Sequence, residues 1–115
     1  MSIERQIRRL QQRHTEEDAL ARATGLKHLL STADGRRFVW LFLADCGVNR
    51  NPFSNNALST SFNCGELNVG QKLLAEITVA DPDAFLVMQK ENVSVERSRT
   101  ADANRVADGD AIADD

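Results

Sequence analysis

The distribution of apolar residues reads as an all-α protein, a small bundle of three to four helices around a central apolar helix, with a basic N-terminal arm and an acidic, disordered C-terminal tail. The central stretch is Asp34–Val48, DGRRFVWLFLADCGV, which gathers the single Trp, two of the five Phe and an unbroken apolar run from Phe38 to Ala44. On both sides of it, apolar residues recur at the three- and four-residue steps of amphipathic helices. Charge is segregated along the chain: residues 1–14 carry net +3, residues 15–91 net −3 and residues 92–115 net −3. The 115 residues allow one domain. The expected organisation is therefore an arm over 1–14, a helical domain over 15–91 and a flexible tail over 92–115.

In the arm, Ile3, Ile7 and Leu10 fall on one helical face, with Arg5, Arg8, Arg9 and Arg13 on the other. So short a stripe is marginal in water and is expected to order by docking on its own domain or on a partner. Thr15 with Asp18 resembles a capping box that opens a first helix reaching about Ser31. Its inward stripe holds Leu20, Leu26 and Leu30, and Gly25 weakens it.

Asp34 stands where an N-cap would start the central helix, and Gly47 where a left-handed residue would end it. The run Phe38, Val39, Trp40, Leu41, Phe42, Leu43 points apolar side chains all round. That is the pattern of a helix enclosed by neighbours, so Phe38, Trp40, Phe42 and Leu43 are expected in the core. Arg36 and Arg37 precede the run at the end of a helix that disfavours cations. They are either a solvated first turn or an anchor for a carboxylate or phosphate of a partner.

Residues 49–61 hold four Asn, Pro52 and four Ser or Thr, and read as a loop. Phe53 and Leu58 either tuck this loop against the domain or make it a contact surface, with Arg50 beside them. A third helix is expected from about Phe62 to Ala80, with Phe62, Leu73, Leu74 and Ile77 inward and Gly65 and Gly70 allowing a close approach. Asp81-Pro82 then reads as the start of a fourth helix through Glu91, with Phe85 and Met88 inward. Beyond it, small and charged residues alternate without an aromatic, a composition expected to stay disordered until a partner orders it.

No reaction centre emerges. Gly65–Lys72 imitates a phosphate loop, but Gln71 separates the second glycine from the lysine and no Ser or Thr follows. His14, His28, Cys46 and Cys64 lack the short spacing of zinc ligands. Neither a cofactor nor a catalytic role is expected. The apolar run of seven residues is far below the ~20 that span a bilayer. A charged N-terminus argues against a signal peptide, and the two cysteines read as buried thiols of a protein made in a reducing cytosol.

One set of residues carries a resemblance. Gly35, Arg36, Phe38, Trp40, Leu43, Gly47, Val48 and Phe53, then Phe62, Gly65, Asn68, Gly70, Leu73, Leu74, Glu76 and Ile77, and finally Pro82, Met88, Lys90 and Glu91 form a spaced pattern. It is similar to a small protein encoded in the structural-gene modules of short-tailed bacteriophages and related prophages, over residues 34–92. The resemblance implies a non-enzymatic virion or virion-assembly protein, found in the virion and in the host cytoplasm during assembly. It implies docking on portal, tail or capsid subunits, near the portal and head-to-tail junction, in multiple copies on a ring. Ile3, Ile7, Leu10, Arg36, Arg37, Arg50 and Phe53 are the residues expected to meet such partners. The alternative is a DNA-associated, co-ejected internal head protein that uses the arginines of residues 5–13 with Arg36, Arg37 and Arg50.

Overall fold

The computed structural model describes residues 2–110. It contains four α-helices, α1 (Ile3–Leu30), α2 (Ala33–Asp45), α3 (Ala57–Ala80) and α4 (Ala84–Arg105), followed by a π-helical turn at Val106–Asp110. Among the described residues there is no strand, and no helix is long and apolar enough to cross a membrane. The all-α bundle is as expected, but several of the expected helix boundaries are not.

The arm and the first helix are one helix of 28 residues. Its cap is Ser2, whose Oγ accepts from the Arg5 N–H at 3.2 Å. Thr15 is no cap, because its hydroxyl donates back to the Gln11 carbonyl at 2.9 Å, a bond compatible with continuing helix. Good helix formers, Gln11, Gln12 and Arg13, bridge the expected gap.

α2 is capped by Thr32, whose Oγ1 accepts from the Gly35 N–H at 3.0 Å, so Asp34 belongs to the first turn. Its other end is as expected. Gly47 has φ 79°, and it donates to the Ala44 carbonyl at 2.9 Å while Val48 donates to that of Leu43 at 3.3 Å. This paired closure is the Schellman motif.

α3 starts five residues earlier than expected, since Asn56 caps it by accepting from Leu58 and Ser59 at 2.8 and 3.2 Å. One of the asparagines that suggest a loop therefore starts the helix. α4 does not stop at Glu91 but runs to Arg105. The stretch expected to be disordered has no Gly or Pro before Gly109, and Glu96–Arg99 and Asp102–Arg105 pair one turn apart along it. Residues 111–115 of the expected tail lie outside the described residues.

The core is a short slab of Leu26, Leu30, Val39, Leu43, Ile77, Ala84 and Met88, with Trp40, Val48, Leu73, Leu74 and Phe85 packed against it. Leu20, Phe38, Phe42 and Phe62, all expected inside, are exposed. The reason is periodicity: Gly35, Val39, Leu43 and Cys46 are the buried positions of the α2 region, a single stripe of one helical face. Trp40 sits at the edge of this stripe, half-buried, with its ring 5.9 Å from that of Phe85 on α4. Close approach is real at Gly35 and Gly70, where an added Cβ would meet the Leu29 carbonyl oxygen at 1.8 Å and Cys46 Cβ at 2.7 Å. At Gly65 the space is open.

Every described residue from Ser2 to Gly25 and from Glu96 to Gly109 is exposed. The radius of gyration is 21.3 Å, against about 13 Å for a compact chain of this size. The molecule is a small bundle with long helical overhangs, 84 × 39 × 24 Å along its axes.

Candidate partner-docking surface

Four of the five phenylalanines face solvent: Phe38 is 62% exposed, Phe42 42%, Phe53 74% and Phe62 68%. Phe38 and Phe42 are one turn apart on α2 and line a groove with Leu29 of α1 and Val69 and Leu73 of α3. The groove encloses about 430 Å³ and has Leu26 and Val39 in its walls. Phe62 lies one and two turns before Glu66 and Val69 on α3, so it extends the same stripe. Towards the other end, the α1–α3 seam continues as a second groove of about 450 Å³ beside Ala19, Ala23 and Val79.

Arg22 and Lys72 border both grooves. Arg22 is held across the α1–α3 seam by Glu76, Nε to Oε2 at 2.7 Å, and this hydrogen bond raises the guanidinium pKa above its usual value. Among the described residues Lys72 makes no ion pair. The surface is thus apolar and aromatic in its floor and cationic at its rim.

The three arginines expected to meet a partner are engaged inside the chain. Arg36 grips Glu91 and the Leu30 carbonyl. Arg37 donates to the Asn92 side-chain oxygen, and Asn92, buried, donates in turn to the Met88 carbonyl at 2.7 Å. Arg50 donates to the carbonyls of Ala44 and Asp45 at 3.2 and 3.0 Å and so satisfies the end of α2. The Arg36 and Arg37 pair is therefore not a solvated first turn: Arg36 is an anchor for a carboxylate, and the carboxylate is the chain's own.

Ile3, Ile7 and Leu10 are 73%, 48% and 48% exposed on the overhang of α1. Phe53 and Leu58 do not tuck the loop down, at 74% and 82% exposure. Cys46 is buried, but Cys64, expected to be buried too, is exposed. The described residues bring together no group of three His, Cys, Asp or Glu side chains able to hold a metal ion.

Sequence reasoning assigned Phe38, Phe42 and Phe62 to the core and so missed the groove. A signal was present in the supply of cover. A helix apolar on every side needs neighbours on every side, and α1 offers mainly alanines and a few leucines opposite it.

Residues 26–90 match the model of a family described as Bbp19-like phage protein. No curated protein and no solved structure gives a match. The matched span begins at the first buried residue of α1 and ends one residue before Glu91. It therefore takes in the core and the aromatic groove and leaves out both overhangs.

Proposed function

The chain belongs to the family of Bbp19-like phage proteins, and from that premise we propose that it is a non-enzymatic virion or virion-assembly protein that docks on other phage structural proteins, at the portal and head-to-tail region. The observation that carries this reading is the exposure of four of its five phenylalanines, two of them in one groove. An exposed, contiguous apolar patch on a small protein marks a surface that a partner covers. The groove suits an apolar helix or extended segment, and its Arg22 and Lys72 rim suits acidic flanks on that segment.

The test is incorporation. The protein should be found by mass spectrometry in purified particles, and F38S/F42S should keep its helical circular dichroism yet be lost from them. Particles that contain the folded double variant at the wild-type level would overturn this reading.

A DNA-associated internal protein is the second reading, and one observation favours it: Arg5, Arg8, Arg9 and Arg13 lie on an exposed helix and, among the described residues, make no ion pair. It loses ground because Arg36, Arg37 and Arg50 are used within the fold. Duplex binding whose logarithm falls with log salt at about −0.9 per neutralised phosphate, and which neutralising those four arginines flattens, would support it.

A further inference from the structure

The two overhangs lie at opposite poles. Ala19 and Arg22 of α1 sit beside Glu76, Val79 and Ala80 at the end of α3, so everything before Ala19 projects past the α3–α4 turn. Glu91 lies at the level of the α1 terminus, where Arg36 joins it to the Leu30 carbonyl. Everything after Val95 of α4 consequently projects the other way. The 84 Å long axis agrees, since α1 alone is only about 42 Å long.

Each overhang carries half of a contact. The α1 overhang presents Ile3, Ile7 and Leu10, an exposed stripe over two turns flanked by Arg5, Arg8, Arg9 and Arg13. At the other pole, an open groove of about 840 Å³ runs from Trp40 along one face of α4 past Val93, Arg97, Thr100, Ala101 and Asn104. Those steps of three and four mark a single helical face, and Thr100 and Ala101 are small enough for another helix to come close. The groove itself is neutral, with Glu96 beside Arg97 in its lining, and the chain that follows it, residues 105–115, carries net −3 against net +3 for residues 1–14.

We propose that the α1 overhang of one copy docks in the Trp40–α4 groove of a second copy, giving a head-to-tail contact between copies of this chain. The acidic chain after Asn104 favours this groove over the aromatic one, whose rim carries Lys72 without an ion pair among the described residues. Charge also disfavours arm-to-arm pairing, which would bring eight arginines together. Because the two halves lie at opposite poles, no copy satisfies itself, and the contact repeats until a ring closes or a filament grows. This self-contact needs no phage partner, so it stands or falls apart from the docking at Phe38 and Phe42.

Two variants test it, I3S/I7S/L10S in the arm and V93E/A101E in the groove, all at exposed positions. In sedimentation velocity up to about 100 μM, the wild type should form oligomers that grow with concentration and weaken with salt. Each variant alone should be monomeric, and an equimolar mixture should give a 1:1 dimer and nothing larger, because one intact arm and one intact groove remain. The chain's single tryptophan lines the groove, so Trp40 emission should shift to the blue as the dimer forms. If V93E/A101E loses its helical dichroism, T100E, an exposed position on the same groove face, replaces it as the groove variant. A monomeric wild type throughout the range, or a groove variant that still oligomerises, overturns the proposal. So does loss of self-association in F38S/F42S, since that would assign the self-contact to the aromatic face.

Discussion

The guanidinium of Arg36 holds the Glu91 carboxylate through two nitrogens, Nε 2.8 Å from Oε1 and Nη2 3.1 Å from Oε2, while Nη1 donates to the Leu30 carbonyl at 3.0 Å. One side chain of α2 thereby ties α4 to α2 and satisfies an orphan carbonyl at the end of α1.

The pair makes stability depend on pH in a defined direction. The hydrogen bond from Arg36 holds Glu91 below its usual carboxyl pKa, against a smaller opposing effect of burial. A carboxyl depressed in the folded state adds stability that is complete above its unfolded value of about 4.3 and disappears as pH falls through the folded value. The melting temperature of E91Q should therefore lie below wild type at pH 7, with the gap closing below about pH 4. R36K should recover only part of the loss in R36A, because an ammonium cannot form the fork. Thermal melts from pH 3 to 8 check both, and a gap between E91Q and wild type that does not change with pH would remove Glu91 from the account.

Glycines should divide by what surrounds them. G35A would place a methyl 1.8 Å from the Leu29 carbonyl oxygen, a backbone atom that cannot step aside. It should cost about 1–3 kcal/mol or more by forcing α1 and α2 apart. G70A meets Cys46 Cβ at 2.7 Å and Val48 Cγ2 at 2.8 Å and should be destabilising too. G25A and G65A meet nothing within 4 Å inside long helices, and each should stabilise by up to about 1 kcal/mol. Denaturant melts of the four variants would expose any error in the packing of α1 on α2.

On α2, neighbouring residues should behave in opposite ways. Val39, 2% exposed, and Met88, wholly buried, should cost about 2–4 kcal/mol on truncation to Ala, a large share of so small a domain's stability. Phe38 and Phe42, at 62% and 42% exposure, should cost under about 1 kcal/mol, because exposed side chains lose little on truncation. A Phe38→Ala loss as large as that of Val39→Ala would show that Phe38 is core after all.

The same contrast explains how much of the fold was legible in the sequence. Helix positions were readable wherever apolar spacing met a defined stop, as at Gly47, whose left-handed φ of 79° closes α2. Leu30, Leu43, Ile77 and Met88 stood out as core residues because each lies on a repeating stripe. What one chain's pattern does not display is how many neighbours surround a helix. Phe38 and Val39 are adjacent and equally apolar, and only the arrangement of α1 and α3 decides which is covered. Composition misled at both ends for a related reason: residues 1–14 and 92–105 lack a core-forming stripe, yet they continue helices already nucleated by docked segments. Ile3, Ile7, Leu10 and Phe53, read as contact residues, are exposed, whereas the partners of Arg36, Arg37 and Arg50 lie 55, 55 and five to six residues away in sequence. The two long separations follow from tertiary packing and carry no local signature.

The α1 overhang supplies the last prediction. In a 28-residue helix only Leu26 and Leu30 are buried, so packing fixes the C-terminal third and propagation alone carries the rest. Nucleation is the costly step in helix formation, and it is already met at the docked end. Each further turn towards Ser2 then stands on propensities close to neutral, so protection of backbone amides from hydrogen exchange should fall steadily from Leu26 to the N-terminus. Ser2→Ala removes the cap on the Arg5 N–H and should lower helicity by about 1 kcal/mol of local stability without moving the global melt. Gln12→Pro should disrupt the overhang, at a local cost of about 3 kcal/mol, and still leave the melting temperature nearly unchanged, because the segment from Ala19 to Leu30 remains docked. If Gln12→Pro instead lowers the melt as far as Met88→Ala does, the overhang packs on the bundle in solution and the projecting pole does not exist.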